Sequence, residues 1–425
     1  MSTDEIVARR DRVFGRGAPL FYETPLTLVR GDGVWLEDTA GRRYLDMYNN
    51  IPVVGHCNPR AVEAHRAQAS TLNTHSRYLH PAILDYGERL LDLHADPIDR
   101  VVFTCTGTEA NEAAMLMARI ATGGRGFICT DSAYHGHSAL VGLLTRAPRR
   151  GRPDVHGIPF PQRFRPIADG LSEEQLGERY LAEVAAAIDD FATEGVPLAG
   201  LLVCPILANE GLPDIPAGFM ARAASMVRAA GGIVIADEVQ AGFCRTGGWW
   251  GYEAMGLEPD IVTMGKPMGN GLPLGACAGR AELVEGFRRA TGYFNTFAAS
   301  PVHGAVGMAV LDELAPPAVR ERIEKVGSYL RGELETLAAT VPAMGDVRGH
   351  GLFLGIDWVT DAGTRAPDVA GAVRVVNGLK DRGVLVGTAG ALGNMVKIRP
   401  PLVFERAHAD VFLDAFRDTL ASLDG

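Results

Sequence analysis

Ile233-Val234-Ile235-Ala236-Asp237-Glu238-Val239-Gln240 is a short apolar run that stops abruptly at two carboxylates. An unbroken apolar segment of this length, preceded by a helical stretch at Gly218–Ala230, reads as a strand buried on both faces. Working outward, the same pattern recurs. Arg100–Thr104 precedes a helix near Ala110–Ala121, Gly126–Thr130 follows it, and Leu198–Cys204 comes after a helix at Glu178–Phe191. Asp260–Met264 and Gly275–Ala278 complete the set. Apolar strands alternating with helices predict a mainly parallel sheet covered on both faces, an α/β fold.

The flanks differ. Leu26–Arg30, Val34–Glu37 and Arg43–Asp46 read as short strands, with Asp32-Gly33 as a hairpin signal. Ala61–Ala69 and Ile83–Leu93 read as helices. The last third carries helices at Pro301–Leu314, Val319–Thr340 and Val369–Arg382, strands at Gly351–Trp358, Val384–Val386 and Met395–Ile398, and a final helix from Ala407. It reads as a separate α+β unit. The basic stretch from Arg146 to Arg165, broken by Pro, Gly and Phe, reads as a solvated loop.

The chain of 425 residues is 47% hydrophobic and 22% charged, which suits a globular protein with a large core. Its 51 glycines favour tight strand-to-helix turns over a helical bundle. A net charge of -10 argues against a nucleic-acid partner. The six cysteines form no C-x-x-C pair, so neither a zinc site nor a redox motif is expected, and most are expected to be buried free thiols. The N-terminus lacks the apolar core of a signal peptide and no apolar run is long enough to span a bilayer, so the expected location is cytoplasmic, away from membranes.

Four features fall at strand ends, where open α/β sheets bind ligands. Thr106-Gly107-Thr108-Glu109-Ala110-Asn111 opens a helix, either as a phosphate cradle or as an ordinary helix start with an acidic first turn. Asp237 ends a buried strand and needs a partner there: a metal, an arginine or a protonated ring nitrogen. Lys266, in Thr263-Met264-Gly265-Lys266-Pro267-Met268-Gly269-Asn270-Gly271, is either a nucleophile with depressed proton affinity or a solvent-facing loop lysine. Arg399, in Lys397-Ile398-Arg399-Pro400-Pro401, is either an anion clamp or half of a surface ion pair. Taken together, an anion cradle, a carboxylate, a lysine and an arginine make the pattern of a pyridoxal 5'-phosphate site.

From about Leu26 to Phe404 the chain resembles the class III, or ω-, aminotransferases of fold type I. The motifs occur in order: Gly55-His56-Cys57-Asn58-Pro59, Thr106 to Asn111, Tyr134-His135-Gly136, Asp237-Glu238-Val239-Gln240-Ala241-Gly242-Phe243, Gly265-Lys266, Asn295-Thr296-Phe297 and Ile398-Arg399-Pro400-Pro401. The resemblance implies a large domain (61–305) with a mainly parallel seven-stranded sheet sandwiched by helices. A small α+β domain would be built from residues 1–60 and 306–425. Lys266 would carry the cofactor as a Schiff base and Asp237 would face its ring nitrogen. Gly107 and Thr108 would cup the phosphate, and Thr296 would reach it from a neighbouring subunit. Tyr134 and Val239 would flank the ring, with His135 also at the cofactor and Gln240 near the ring hydroxyl. Arg399 would bind the substrate anion, and Tyr22 and Tyr78, with Phe21, are further pocket candidates. The expected assembly is a homodimer or dimer of dimers with shared sites.

Two departures stand out. Cys204-Pro205 replaces the family's usual Glu-Pro, whose glutamate pairs with the arginine when the substrate offers no carboxylate there. Ala298-Ala299 stands where glycines are commoner. Asn49-Asn50, Leu72 to His80 and Tyr293 to Phe297 are similar to a branch of phospho-lyases acting on phosphoethanolamine or phosphohydroxylysine. The expected activity is amino transfer between an anionic amine and a 2-oxo acid, with phosphate elimination as the alternative. A pyridoxal-phosphate-binding regulator would need a DNA-binding extension, and the sequence has none.

Overall fold

The computed structural model describes residues 2–152 and 154–423. A seven-stranded sheet runs in the order Arg100–Thr104, Gly275–Gly279, Ile261–Met264, Ile233–Asp237, Leu198–Val203, Gly126–Thr130, Val155–Ile158. Only Gly275–Gly279 is antiparallel to its neighbours. Ile233–Asp237 is fully buried at the centre. Its alternate side chains enter two separate cores. Val234 and Ala236 join one with Phe219 and Tyr180 from covering helices, while Ile233 and Ile235 join the other with Ala114 and Phe287. Both faces are therefore covered, which is why the strand carries no polar alternation.

Two smaller sheets flank it. Leu28–Asp32, Trp35–Asp38, Arg43–Asp46 and Val384–Leu385 form one, so a segment near the start pairs with one near the end. Its first hairpin turns at Gly33, whose φ of 57° suits glycine. The other contains Met344–His350, Phe353–Asp361, Met395–Ile398 and Gly387–Ala389.

The structure corrects one local reading. Within the basic stretch, Val155–Ile158 is a buried edge strand of the large sheet. Its alternation is hidden by His156 and Gly157. A Cβ at Gly157 would lie 2.2 Å from the Ala147 carbonyl oxygen, so the close approach of the preceding loop requires glycine there. Helices Thr3–Phe14 and Ala281–Thr291 and strand Met344–His350 are additional to the sequence reading. Of the cysteines, Cys129, Cys204, Cys244 and Cys277 are buried, whereas Cys57 is exposed. No helix among the described residues is long and apolar enough to cross a membrane.

The strands adjacent to Ile233–Asp237 end on the same side of the sheet. Asp237 pairs in register with Thr263, Cys204 directly follows Leu198–Val203, and Lys266 lies two residues beyond Met264. The topology alone thus gathers residues from distant parts of the chain on one edge.

Candidate active site

Thr106 caps the helix Gly107–Thr122 by accepting the Glu109 amide at 3.1 Å. This leaves the first turn of a sixteen-residue helix facing a cavity of about 320 Å³, with Thr106, Gly107 and Thr108 in its wall. Backbone N–H groups at such a terminus suit an anion. The turn is tightly packed: a Cβ at Gly107 would lie 2.7 Å from a Val239 methyl, and one at Gly265 would lie 3.2 Å from the Gly107 Cα. Val239 and Lys266 line the same cavity.

Asp237 also lines it. One carboxylate oxygen faces His135 Nδ1 at 2.7 Å and accepts from Asn111 Nδ2 at 3.0 Å, while the other accepts the Val239 amide at 3.1 Å. Asn111 is itself fixed, since its oxygen accepts from the Thr263 hydroxyl at 2.6 Å and its amide also donates to the His135 carbonyl at 2.8 Å. These buried supports hold the carboxylate at the cavity wall without an arginine or lysine in contact. A cationic ring nitrogen fits that position.

Lys266 makes no ion pair among the described residues. Burial depresses its proton affinity, and Arg399 depresses it further, against the opposing pull of Asp237. A lysine in such surroundings is a better nucleophile toward an aldehyde.

Arg399 follows strand Met395–Ile398 and is buried; it does not line the cavity but touches Gln240, which does. Its backbone N–H donates to Met47 O at 2.6 Å and its Nε to Tyr48 O at 3.1 Å. Its Nη1 donates to Gln240 Oε1. Gln240 in turn donates to Asn209 Oδ1 at 3.0 Å, and both amides line the cavity. Gln240, expected beside the cofactor's ring hydroxyl, therefore links the cavity wall to Arg399. Asp46 lies close enough to raise the proton affinity of Arg399, but that carboxylate is engaged by His56 at 2.7 Å and by Asn49. Cys204 is in the cavity wall, and burial keeps its thiol protonated.

The remaining candidates divide. Tyr134 and His135 line the cavity. Tyr22 does not: its hydroxyl donates to Val386 O at 3.0 Å. Phe21 is exposed and packs on Tyr48. Tyr78 is 67% exposed and lines a second cavity of about 440 Å³ with Tyr293, Phe294 and Asn295. Thr296 is exposed on the same segment. Sequence reasoning did not single out Asn209, nor the role of Thr263, nor the support that Asn111 gives Asp237.

The fit to pyridoxal 5'-phosphate rests on the donor set. A helix N-terminus, an anchored carboxylate and an unpaired lysine share one cavity, and His135 Nε2 is buried without a hydrogen-bond partner among the described residues. The family described as Aminotransferase class-III matches residues 20–420. An alanine–glyoxylate aminotransferase 2-like protein of Drosophila melanogaster is 35% identical, over 100% of this chain and 88% of its own. An ethanolamine-phosphate phospho-lyase homolog of Caenorhabditis elegans is 34% identical over 95% and 90%. A solved phospholyase from Arthrobacter, in complex with phosphoethanolamine, superposes with a TM-score of 0.94 at 42% identity, covering 98% of this chain and 99% of its own. The chain belongs to the class III aminotransferase family, whose members are enzymes dependent on pyridoxal 5'-phosphate.

Proposed function

We propose that the chain moves an amino group between an anionic amine or amino acid and a 2-oxo acid. Lys266 would hold the cofactor, Asp237 would face its ring nitrogen, and Gly107 and Thr108 would receive its phosphate. The observation that carries this reading is the single cavity lined by all four residues. When bound, pyridoxal 5'-phosphate supplies an electron sink for the pair left on the substrate carbon after a proton departs. Lys266 Nζ, kept short of protons by its surroundings, takes that proton and later returns one. Arg399 exchanges its neutral partner Gln240 for the substrate's anion. Because Cys204 brings no negative charge to this wall, each substrate has to supply its own. Exposure of Thr296 and Tyr78 supports a homodimer in which these segments complete the neighbouring site.

A second reading is favoured by the Arthrobacter phospholyase, given its 42% identity and bound phosphoethanolamine. Here the Cα proton leaves, the Cβ–O bond breaks, and phosphate departs with the bonding pair; water then releases ammonia and an aldehyde. An enzyme with one anionic substrate needs no switchable carboxylate at position 204. Purified holoenzyme supplied with alanine and glyoxylate, and separately with phosphoethanolamine alone, separates the two. Formation of pyruvate and glycine supports amino transfer. Release of phosphate and ammonia without an acceptor supports elimination, and silence in both assays contradicts both.

A further inference from the structure

A second buried basic side chain, Lys397, stands two residues before Arg399. Along an extended strand, residues two apart leave the same face, so Lys397 and Arg399 stand side by side. Lys397 is 3% exposed; its Nζ donates to the Ala208 carbonyl at 2.8 Å and lies 5.3 Å from the centre of the Phe353 ring. The Arg399 guanidinium lies 5.4 Å from the same ring. Ala208 lies on the turn that begins at Cys204, and Cys204 lines the cavity. Neither basic side chain makes an ion pair among the described residues. The titratable groups around Lys397 are Arg399 and Lys266, which lower its proton affinity, and Cys204 and Glu210, whose own protons burial holds on. Glu210 is already engaged by the Thr130 hydroxyl and the Asn209 amide. An ammonium offers three donors, and Ala208 satisfies one.

We propose that Lys397 is a specificity-determining residue, forming with Arg399 a two-cation wall that selects a doubly charged phosphate or phosphonate on the substrate over a carboxylate. The proposal rests on the reading that Arg399 receives the substrate's anion. A second positive charge rewards a second negative one, because Coulomb attraction scales with the product of charges and is strong where water is excluded. Burial and Arg399 hold the proton affinity of Lys397 down, and an arriving dianion raises it again, so binding of a dianion takes up protons.

The test uses holoenzyme and two amines of equal chain length, 2-aminoethylphosphonate and 3-aminopropanoate, with binding read from the visible absorbance of the cofactor. Neither probe carries a leaving group at Cβ. The expected result is phosphonate binding at least about tenfold tighter than carboxylate binding in the parent. Lys397→Met should reduce that ratio to within about twofold through loss of phosphonate affinity, and Lys397→Arg should retain the preference. Equal affinities in the parent, or equal losses for both probes in Lys397→Met, would overturn the proposal. The parent ratio and the arginine variant keep it testable if the methionine variant does not fold. If phosphoethanolamine is not cleaved but the ratio and its Lys397 dependence hold, elimination fails and the two-cation wall stands. An Arg399→Gln variant that binds both probes like the parent would remove the reading beneath the proposal.

Discussion

His135 Nδ1 lies 2.7 Å from an Asp237 carboxylate oxygen that also accepts from Asn111 Nδ2 at 3.0 Å. The carboxylate at the end of the central strand is thus held from two sides, by the loop after Gly126–Thr130 and by the helix that begins at Gly107. It has a fixed direction toward the cavity. Replacing Asp237 by asparagine keeps the shape and removes the charge. Asp237→Asn should bind cofactor but lower kcat by about 10²–10⁴-fold, as for loss of a proton-managing group. Steady-state kinetics of the reconstituted variant measures this.

The crowding at Gly107 yields a paired prediction. Gly107→Ala places a methyl 2.7 Å from Val239, displacing the helix start from the position proposed for the phosphate. Cofactor affinity should fall by about tenfold or more, and Val239→Ala in the same chain should restore part of it. Titration of apoenzyme with pyridoxal 5'-phosphate, followed by absorbance, reads both effects.

Cys204→Glu supplies a carboxylate in the cavity wall, on the side of Lys397. If the substrate's anion is received at that wall, the new side chain competes with it. KM for anionic substrates should rise by about tenfold, with kcat changed less. Unchanged kinetics would show that position 204 does not share a wall with the substrate's anion.

The acid–base behaviour of Lys266 follows from its neighbours. Burial first, then Arg399, lowers its affinity for protons below the ordinary value of 10.5. The reactive neutral amine is therefore present at lower pH than for a solvated lysine. Arg399→Gln removes one of the two causes, so the pH midpoint for capture of cofactor by apoenzyme should move upward. A midpoint that stays in place or moves down would contradict the assigned cause.

The parts legible in the sequence were those set by local rules. Parallel strands end on one edge of a sheet, so reading Arg100–Thr104, Gly232–Ala236 and Asp260–Met264 as strands was enough to bring Gly107, Asp237 and Lys266 together. All three line one cavity. Thr263 opens the lysine motif, yet its role was not legible, because a polar residue inside an apolar strand gives no sign of its partner; here that partner is Asn111, 152 positions away. Tyr22 and Tyr78 lie on segments with no periodic pattern. Nothing local indicates that Tyr22 binds the Val386 carbonyl or that Tyr78 belongs to a second cavity. The Gln240–Arg399 contact was equally hidden, since it joins a strand-end loop to a strand of a different sheet.

The most direct measurement is borohydride reduction of the yellow holoenzyme, followed by proteolysis and mass spectrometry. The expected result is a covalent pyridoxyl group on the peptide containing Lys266, and no covalently labelled peptide in Lys266→Ala, whether or not that variant still binds the free aldehyde. A covalent label on another lysine of the parent, or a parent whose reduced cofactor washes away unattached, would contradict the assignment.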